Sequence, residues 1–132
     1  MSQINAVLVD TARSRMDRVE LMLAQEGVQV IAKCSTVSAA ERVIARNAFN
    51  IAVIDASTAT GAEFGLCSTV KFRQPQAFVC LTSGQTEMTG DIVRYLGVDF
   101  MISKPATEDS VHAMLAAYEW EKRRQRIVGT LR

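Results

Sequence analysis

Uninterrupted apolar runs, each closed by a polar residue, limit this chain more than any other feature. Ala6-Val7-Leu8-Val9 ends at Asp10, Ile51-Ala52-Val53-Ile54 ends at Asp55, and Ala77-Phe78-Val79-Cys80-Leu81 ends at Thr82. Runs without polar alternation suit strands covered on both faces, as in a parallel sheet. Two further strand-like segments cover 28–34 and 100–103, the latter stopped by Lys104-Pro105, since proline lacks the amide that a central ladder needs. Between the strands the spacing turns helical. A first helix is predicted over 14–26, with Met16, Val19 and Leu23 on one stripe and Gly27 as its stop. Ser38-Ala39-Ala40-Glu41 has the form of a capping box and opens a second helix to about Asn47. Further helices are expected over 63–72, 86–96 and 108–128, the last capped by Thr107. Such alternation implies an α/β fold, a doubly wound parallel sheet with helices on both faces and right-handed crossovers.

Composition removes several function classes. A chain of 132 residues fits one domain, and 48% hydrophobic residues can build its core. Fifteen basic and 14 acidic residues leave a net charge of +1, which gives no electrostatic case for nucleic acid or for a membrane surface. No apolar stretch approaches the roughly 20 residues that span a bilayer, and MSQINAVLVD lacks the pattern of a secretory signal. Cys34, Cys67 and Cys80 are odd in number, widely spaced and within strand-like or helix-like runs, so they read as small buried hydrophobes in a reducing, cytoplasmic setting. A single histidine, His112, argues against a zinc site and a Ser/His/Asp triad.

In open sheets of this class, ligands bind beyond the carboxyl ends of the strands. Those ends carry Asp10, Asp55, Thr82 and Lys104. Each alone is ordinary: an aspartate after a strand often shapes a turn, and a lysine is usually solvated. Together they make a coherent set. A carboxylate can be the nucleophile toward a phosphoryl group. A second carboxylate can help hold Mg²⁺, which prefers oxygen ligands. A hydroxyl can donate to a phosphoryl oxygen, and an ammonium can neutralise its charge. Enzymatic readings fare worse. An aspartate-nucleophile phosphatase needs a second aspartate two residues on, where Ser57 stands. Neither glycine-rich nucleotide-binding pattern occurs.

With Asp10 after the first strand, Asp55 after the third, Thr82-Ser83 after the fourth and Lys104-Pro105 after the fifth, the sequence resembles a response regulator receiver domain over about residues 4–120. The resemblance implies a five-stranded parallel sheet of order 2-1-3-4-5 flanked by five helices, and a non-enzymatic role in two-component phosphorelay signalling. It implies that Asp55 accepts a phosphoryl group from a histidine kinase or phosphotransfer protein. Asp10, Asp55 and the main-chain carbonyl of Ser57 would hold Mg²⁺. Thr82 and Lys104 would contact the phosphoryl group, with Thr82 also acting in the switch.

Four positions depart from the family pattern. Thr11 stands where a second metal-binding acid is usual. The loop 56–61 lacks its customary proline. Met101 occupies the place of the aromatic switch residue, and Ala106 that of an aromatic after Lys-Pro. A degenerate receiver, working by protein contact without phosphorylation, therefore stays open beside the phosphorylated one. Residues 1–120 form the expected receiver domain, and 121–132 an extension of the last helix. Val111, Met114, Leu115 and Tyr118 mark that helix's inward face, whereas the part from Trp120 on is too polar to pack on the sheet. The extension would join an output domain or pair with a second subunit.

Overall fold

The computed structural model describes residues 3–11, 16–56, 62–84 and 96–130. The apolar runs form one sheet of β1 (Ile4–Asp10), β2 (Val28–Cys34), β3 (Ile51–Ala56), β4 (Phe78–Ser83) and β5 (Phe100–Ser103). All pairings are parallel and the order is β2-β1-β3-β4-β5, as expected. The described helices are α1 (Met16–Gln25), α2 (Val37–Arg46), α3 (Ala62–Arg73) and α4 (Glu108–Thr130). The helix expected over 86–96 lies, Leu96 apart, outside the described residues. No described helix is long and apolar enough to cross a membrane.

Every residue of β3 and β4 is buried, whereas the edge strands β2 and β5 are only partly so. Alternation of side chains along each strand divides the core in two. One layer joins Val7, Val9, Ala52, Ile54, Val79 and Leu81 to α2 and α3. The other joins Ala6, Leu8, Ile51, Val53, Phe78 and Cys80 to α1 and α4. Ile54 is fully enclosed, and truncating such a side chain to alanine costs about 2–5 kcal/mol.

The helices follow the same arithmetic, with local corrections. Met22 and Leu23 are the buried pair of α1, while Met16 and Val19 are only partly buried, so the inward stripe is rotated from the one expected. α2 starts one residue before Ser38, and its cap is Thr36, whose hydroxyl accepts the Ala39 amide at 3.0 Å. That arrangement satisfies an amide the helix leaves unpaired, and it displaces the Ser38 capping box. Thr107 caps α4 as expected: its hydroxyl accepts the Ser110 amide at 3.1 Å, and Ser110 Oγ accepts the Thr107 amide at 2.8 Å. Val111, Met114, Leu115 and Tyr118 face the core, and Tyr118 meets Phe78 edge-on with ring centroids 5.7 Å apart. Gly27 ends α1 at φ 83°, a conformation glycine adopts without strain. Gly97 sits at φ 79°, where a Cβ would lie 2.7 Å from Lys71 Cγ.

Candidate functional site

Strand parity builds the site. Asp10, Asp55 and Thr82 follow Leu8, Val53 and Cys80 by two residues, so all three face the α1–α4 side. Parallel registers then set them in a row, Asp10 beside Asp55 and Asp55 beside Thr82. Lys104 follows Ile102 by two residues and extends beyond the end of β5 on the same side, its amide donating to the Ser83 carbonyl at 3.0 Å. The Lys104–Pro105 bond is cis. Asp10, Asp55 and Thr82 are all buried.

Within this row the Asp55 carboxylate forms an ion pair with Lys104 and accepts a hydrogen bond from the Thr82 hydroxyl. Burial nonetheless pushes the Asp55 carboxyl above its ordinary range. Lys104 and Thr82 pull it back, and the charge of Asp10 pushes it further up. Three of the predicted residues therefore converge on Asp55: Asp10 by repulsion, Thr82 and Lys104 by direct contact. Ser57 lies outside the described residues. Met101 points the other way, partly buried against the α2–α3 layer.

Thr11 has a partner the sequence did not suggest. Its hydroxyl donates to Glu63 Oε1 at 2.7 Å across 52 residues. Glu63 lies in the first turn of α3 and is 3% exposed. In the sequence it looks like any acid favoured near a helix N-terminus, and only the three-dimensional contact sets it apart. The donor set nevertheless suits Mg²⁺. Asp10 and Asp55 present adjacent, buried oxygens whose mutual repulsion a divalent cation would relieve, and Mg²⁺ is commonly held by one or two carboxylates with retained waters.

A cavity of about 300 Å³ opens beside Asp55. Asp55, Thr82 and Lys104 line its polar end, with Arg18 of α1. Val19, Met22, Pro105 and Ala106 form its apolar wall. Neither Arg18 nor the cavity was legible in the sequence, because both depend on how α1 packs across the β5–α4 connection. The three cysteines, by contrast, are free and buried as expected, and burial pushes the Cys67 thiol up to about 12, against forming the thiolate.

No family model matches the sequence, and no curated protein matches it. Solved structures do match in shape. A CheY-like response regulator receiver domain protein from Methanospirillum hungatei JF-1 superposes with a TM-score of 0.81 at 18% identity, over 93% of this chain and 99% of that one. A response regulator from Burkholderia pseudomallei, with a phosphorylated aspartic acid, a calcium ion and citrate, gives 0.75 at 19% identity, over 92% of this chain and 73% of that one. A CheY-like receiver domain from Methylobacillus flagellatus gives 0.77 at 17%, over 89% and 99%. The fold is that of response regulator receiver domains.

Proposed function

We propose that this chain is a phosphorylatable receiver in two-component signalling, with Asp55 as acceptor and a histidine kinase or phosphotransfer protein as donor. The observation that carries the reading is the row of Asp10, Asp55 and Thr82 on one sheet face, closed by Lys104 on Asp55. A carboxylate oxygen of Asp55 attacks phosphorus. The bond from phosphorus to the donor breaks, and the donor leaves with the electron pair. Asp10 and Asp55, with the Ser57 carbonyl, would hold Mg²⁺, which when bound neutralises charge on the phosphoryl oxygens. Once the carboxylate has become an acyl phosphate, Lys104 loses its ionic partner and pairs instead with a phosphoryl oxygen. The Thr82 hydroxyl, no longer donating to a carboxylate, turns to the phosphoryl group. Met101, flexible enough to repack, carries that change to the α2–α3 side.

Receiver domains bearing a phosphorylated aspartate or activated by BeF3 are among the solved structures of this fold, which supports the phosphorylated reading over the degenerate one. On this reading residues 1–120 are the signalling domain. Residues 121–132, where Ile127 stays 62% exposed, lead to an output domain, a downstream protein or a second copy. The test is NMR of the protein with beryllium fluoride and Mg²⁺. Amides around Asp55, Thr82 and Lys104 should shift together; spectra unchanged at millimolar Mg²⁺ would establish the contact-only receiver instead.

A further inference from the structure

We infer that Glu63 is a positioning residue of the metal site: through the Thr11 hydroxyl it supplies the negative charge that an acid at position 11 would otherwise bring to Mg²⁺. The inference rests on the Mg²⁺ site of the function proposed above, and it does not need phosphoryl transfer.

Thr11 directly follows Asp10 at the carboxyl end of β1, and Asp10 stands beside Asp55 in the register. Glu63 comes from the first turn of α3, a helix of the opposite core layer, and accepts the Thr11 hydroxyl at 2.7 Å. The bond therefore reaches within one residue of the two carboxylates that would hold the ion. Among the described residues, no three histidine, cysteine, aspartate or glutamate side chains are grouped to hold a metal together. Glu63 is thus not a third direct ligand with Asp10 and Asp55, and its path to the site runs through Thr11.

A helix dipole does not account for Glu63 by itself. Acids in a first turn are favoured there, and an exposed side chain already gains that effect, as Glu108 does at the start of α4. Glu63 is only 3% exposed, and burying a carboxylate costs more than the dipole contributes unless hydrogen bonds or a cation offset it. The Thr11 hydroxyl is one such group, and a cation at the neighbouring Asp10 has the sign to be another.

The hydrogen bond also changes what Thr11 can do. A hydroxyl has one proton and two acceptor positions. With the proton directed to Glu63, the Thr11 oxygen has only lone pairs left to present, which suits Mg²⁺ or a water that the ion retains. Donation to a carboxylate is charge-assisted, and it polarises the oxygen further toward a cation. A threonine alone would be a neutral, freely turning group at this position. With Glu63 behind it, the pair carries both the orientation and the charge of an acid.

The test is Mg²⁺ titration of the full chain, followed by NMR at the amides of Asp10, Thr11 and Asp55. Glu63→Gln keeps the side-chain shape and still accepts the Thr11 hydroxyl through its amide oxygen. Its metal-free urea midpoint should not fall, while Mg²⁺ binds at least about tenfold more weakly, the loss typical of removing a group that orients a metal ligand. Glu108→Gln, at an exposed first-turn acid, should leave Mg²⁺ affinity unchanged. Thr11→Val should weaken Mg²⁺ binding as well, and Glu63→Gln should add no further loss in the Thr11→Val protein, because the two residues act as one unit. Should Glu63→Gln fail to fold, Thr11→Val decides alone, and undiminished Mg²⁺ binding in it overturns the inference. So would equal Mg²⁺ affinity in Glu63→Gln, a matching loss in Glu108→Gln, a full further loss on the Thr11→Val background, or an affinity loss that comes with a lowered metal-free midpoint. Each of these leaves the beryllium fluoride response of the unaltered protein standing. An unaltered protein that binds no Mg²⁺ would instead overturn this inference together with the metal site of the proposed function.

Discussion

Two lysine–aspartate pairs in this molecule have almost equally exposed lysines and different surroundings. In the Lys71–Asp99 pair the charged atoms are 2.6 Å apart, with both side chains 27% exposed. In the Lys104–Asp55 pair the values are 28% and 12%. What differs is the surroundings. Lys71 Nζ also donates to the Ala77 carbonyl at 2.7 Å, and Asp99 Oδ2 accepts the Val79 amide at 2.8 Å. Each charge is thereby tied to backbone, and the pair stitches α3 to β4 and to the turn before β5. Around Asp55 another carboxylate, Asp10, adds its repulsion, and the Asp55 carboxyl is held above its ordinary range by burial despite the lysine. The pair alone therefore does not decide its role; what else its atoms bind does. A charge held by backbone serves the fold, whereas a charge crowded by a like charge at a cavity is available for chemistry.

The largest expected separation between the pairs is in phosphoryl acceptance. Asp55→Asn should lose it completely, measured as the mass gain of one phosphoryl group after treatment with acetyl phosphate and Mg²⁺. Asp99→Asn should retain it. A gain of mass in Asp55→Asn would move the acceptor elsewhere and dissolve the contrast.

Stability should separate them in the opposite sense. Asp99→Ala removes the acceptor of a β4 amide and the partner of Lys71 together, so it should cost about 2–3 kcal/mol. Urea unfolding at pH 7 measures this as a lower midpoint. A loss below about 0.5 kcal/mol would mean the pair is no more than a surface contact.

These two residues also show how far the sequence could be read. Asp55 was visible because it closes the apolar run Ile51–Ile54, and strand parity then places it on the same face as Asp10, Thr82 and Lys104. Asp99 carried no such sign. It stands between Gly97-Val98 and a short edge strand, and its bond to Val79 depends on where the turn before β5 meets β4. Glu63 and Arg18 escaped for the same reason: a contact across 52 residues, or across a cavity, leaves no local period. The strand order and the inward face of α4 did follow from local patterns, because burial on a strand or helix repeats every two or 3.6 residues. Caps were legible only in part. Thr107 stood alone before its helix, whereas Thr36 competed with a well-formed Ser38 pattern two residues on.

A smaller effect should appear in the pH dependence of stability. A carboxyl whose folded pKa is raised favours the folded state fully below its unfolded pKa of about 3.9. That contribution is lost as pH rises through the higher folded value. Burial being the main cause, metal-free protein should therefore lose stability relative to Asp55→Asn as pH rises from about 4 to 7. The neutral amide avoids both the desolvation and the repulsion from Asp10. Lys104 offsets part of the cost, so the difference should be smaller than for an unpaired buried carboxylate. Urea midpoints of both proteins across this range measure it. A pH-independent difference, or one of opposite slope, would show that Lys104 outweighs burial and that the two lysine–aspartate pairs are alike.

The smallest effect belongs to a third pair, which sharpens the comparison by lying within one turn of a single helix. Arg124 lies one helical turn after Glu121 in α4 and is 54% exposed, with the charged atoms 2.7 Å apart. The hydrogen bond from Arg124 holds the Glu121 carboxyl below its ordinary range. The sign is thus the reverse of Asp55: the contribution is present above the unfolded pKa and is lost as pH falls through the folded one. Water screens both groups, so Glu121→Gln should cost only about 0.3–0.5 kcal/mol at low salt, and less at 1 M salt, where the Debye length is about 3 Å. Thermal melts at the two salt concentrations read this directly. A salt-independent loss above about 1 kcal/mol would mean that Glu121 is held by more than its helical neighbour, and exposure would then cease to separate an incidental pair from a built one.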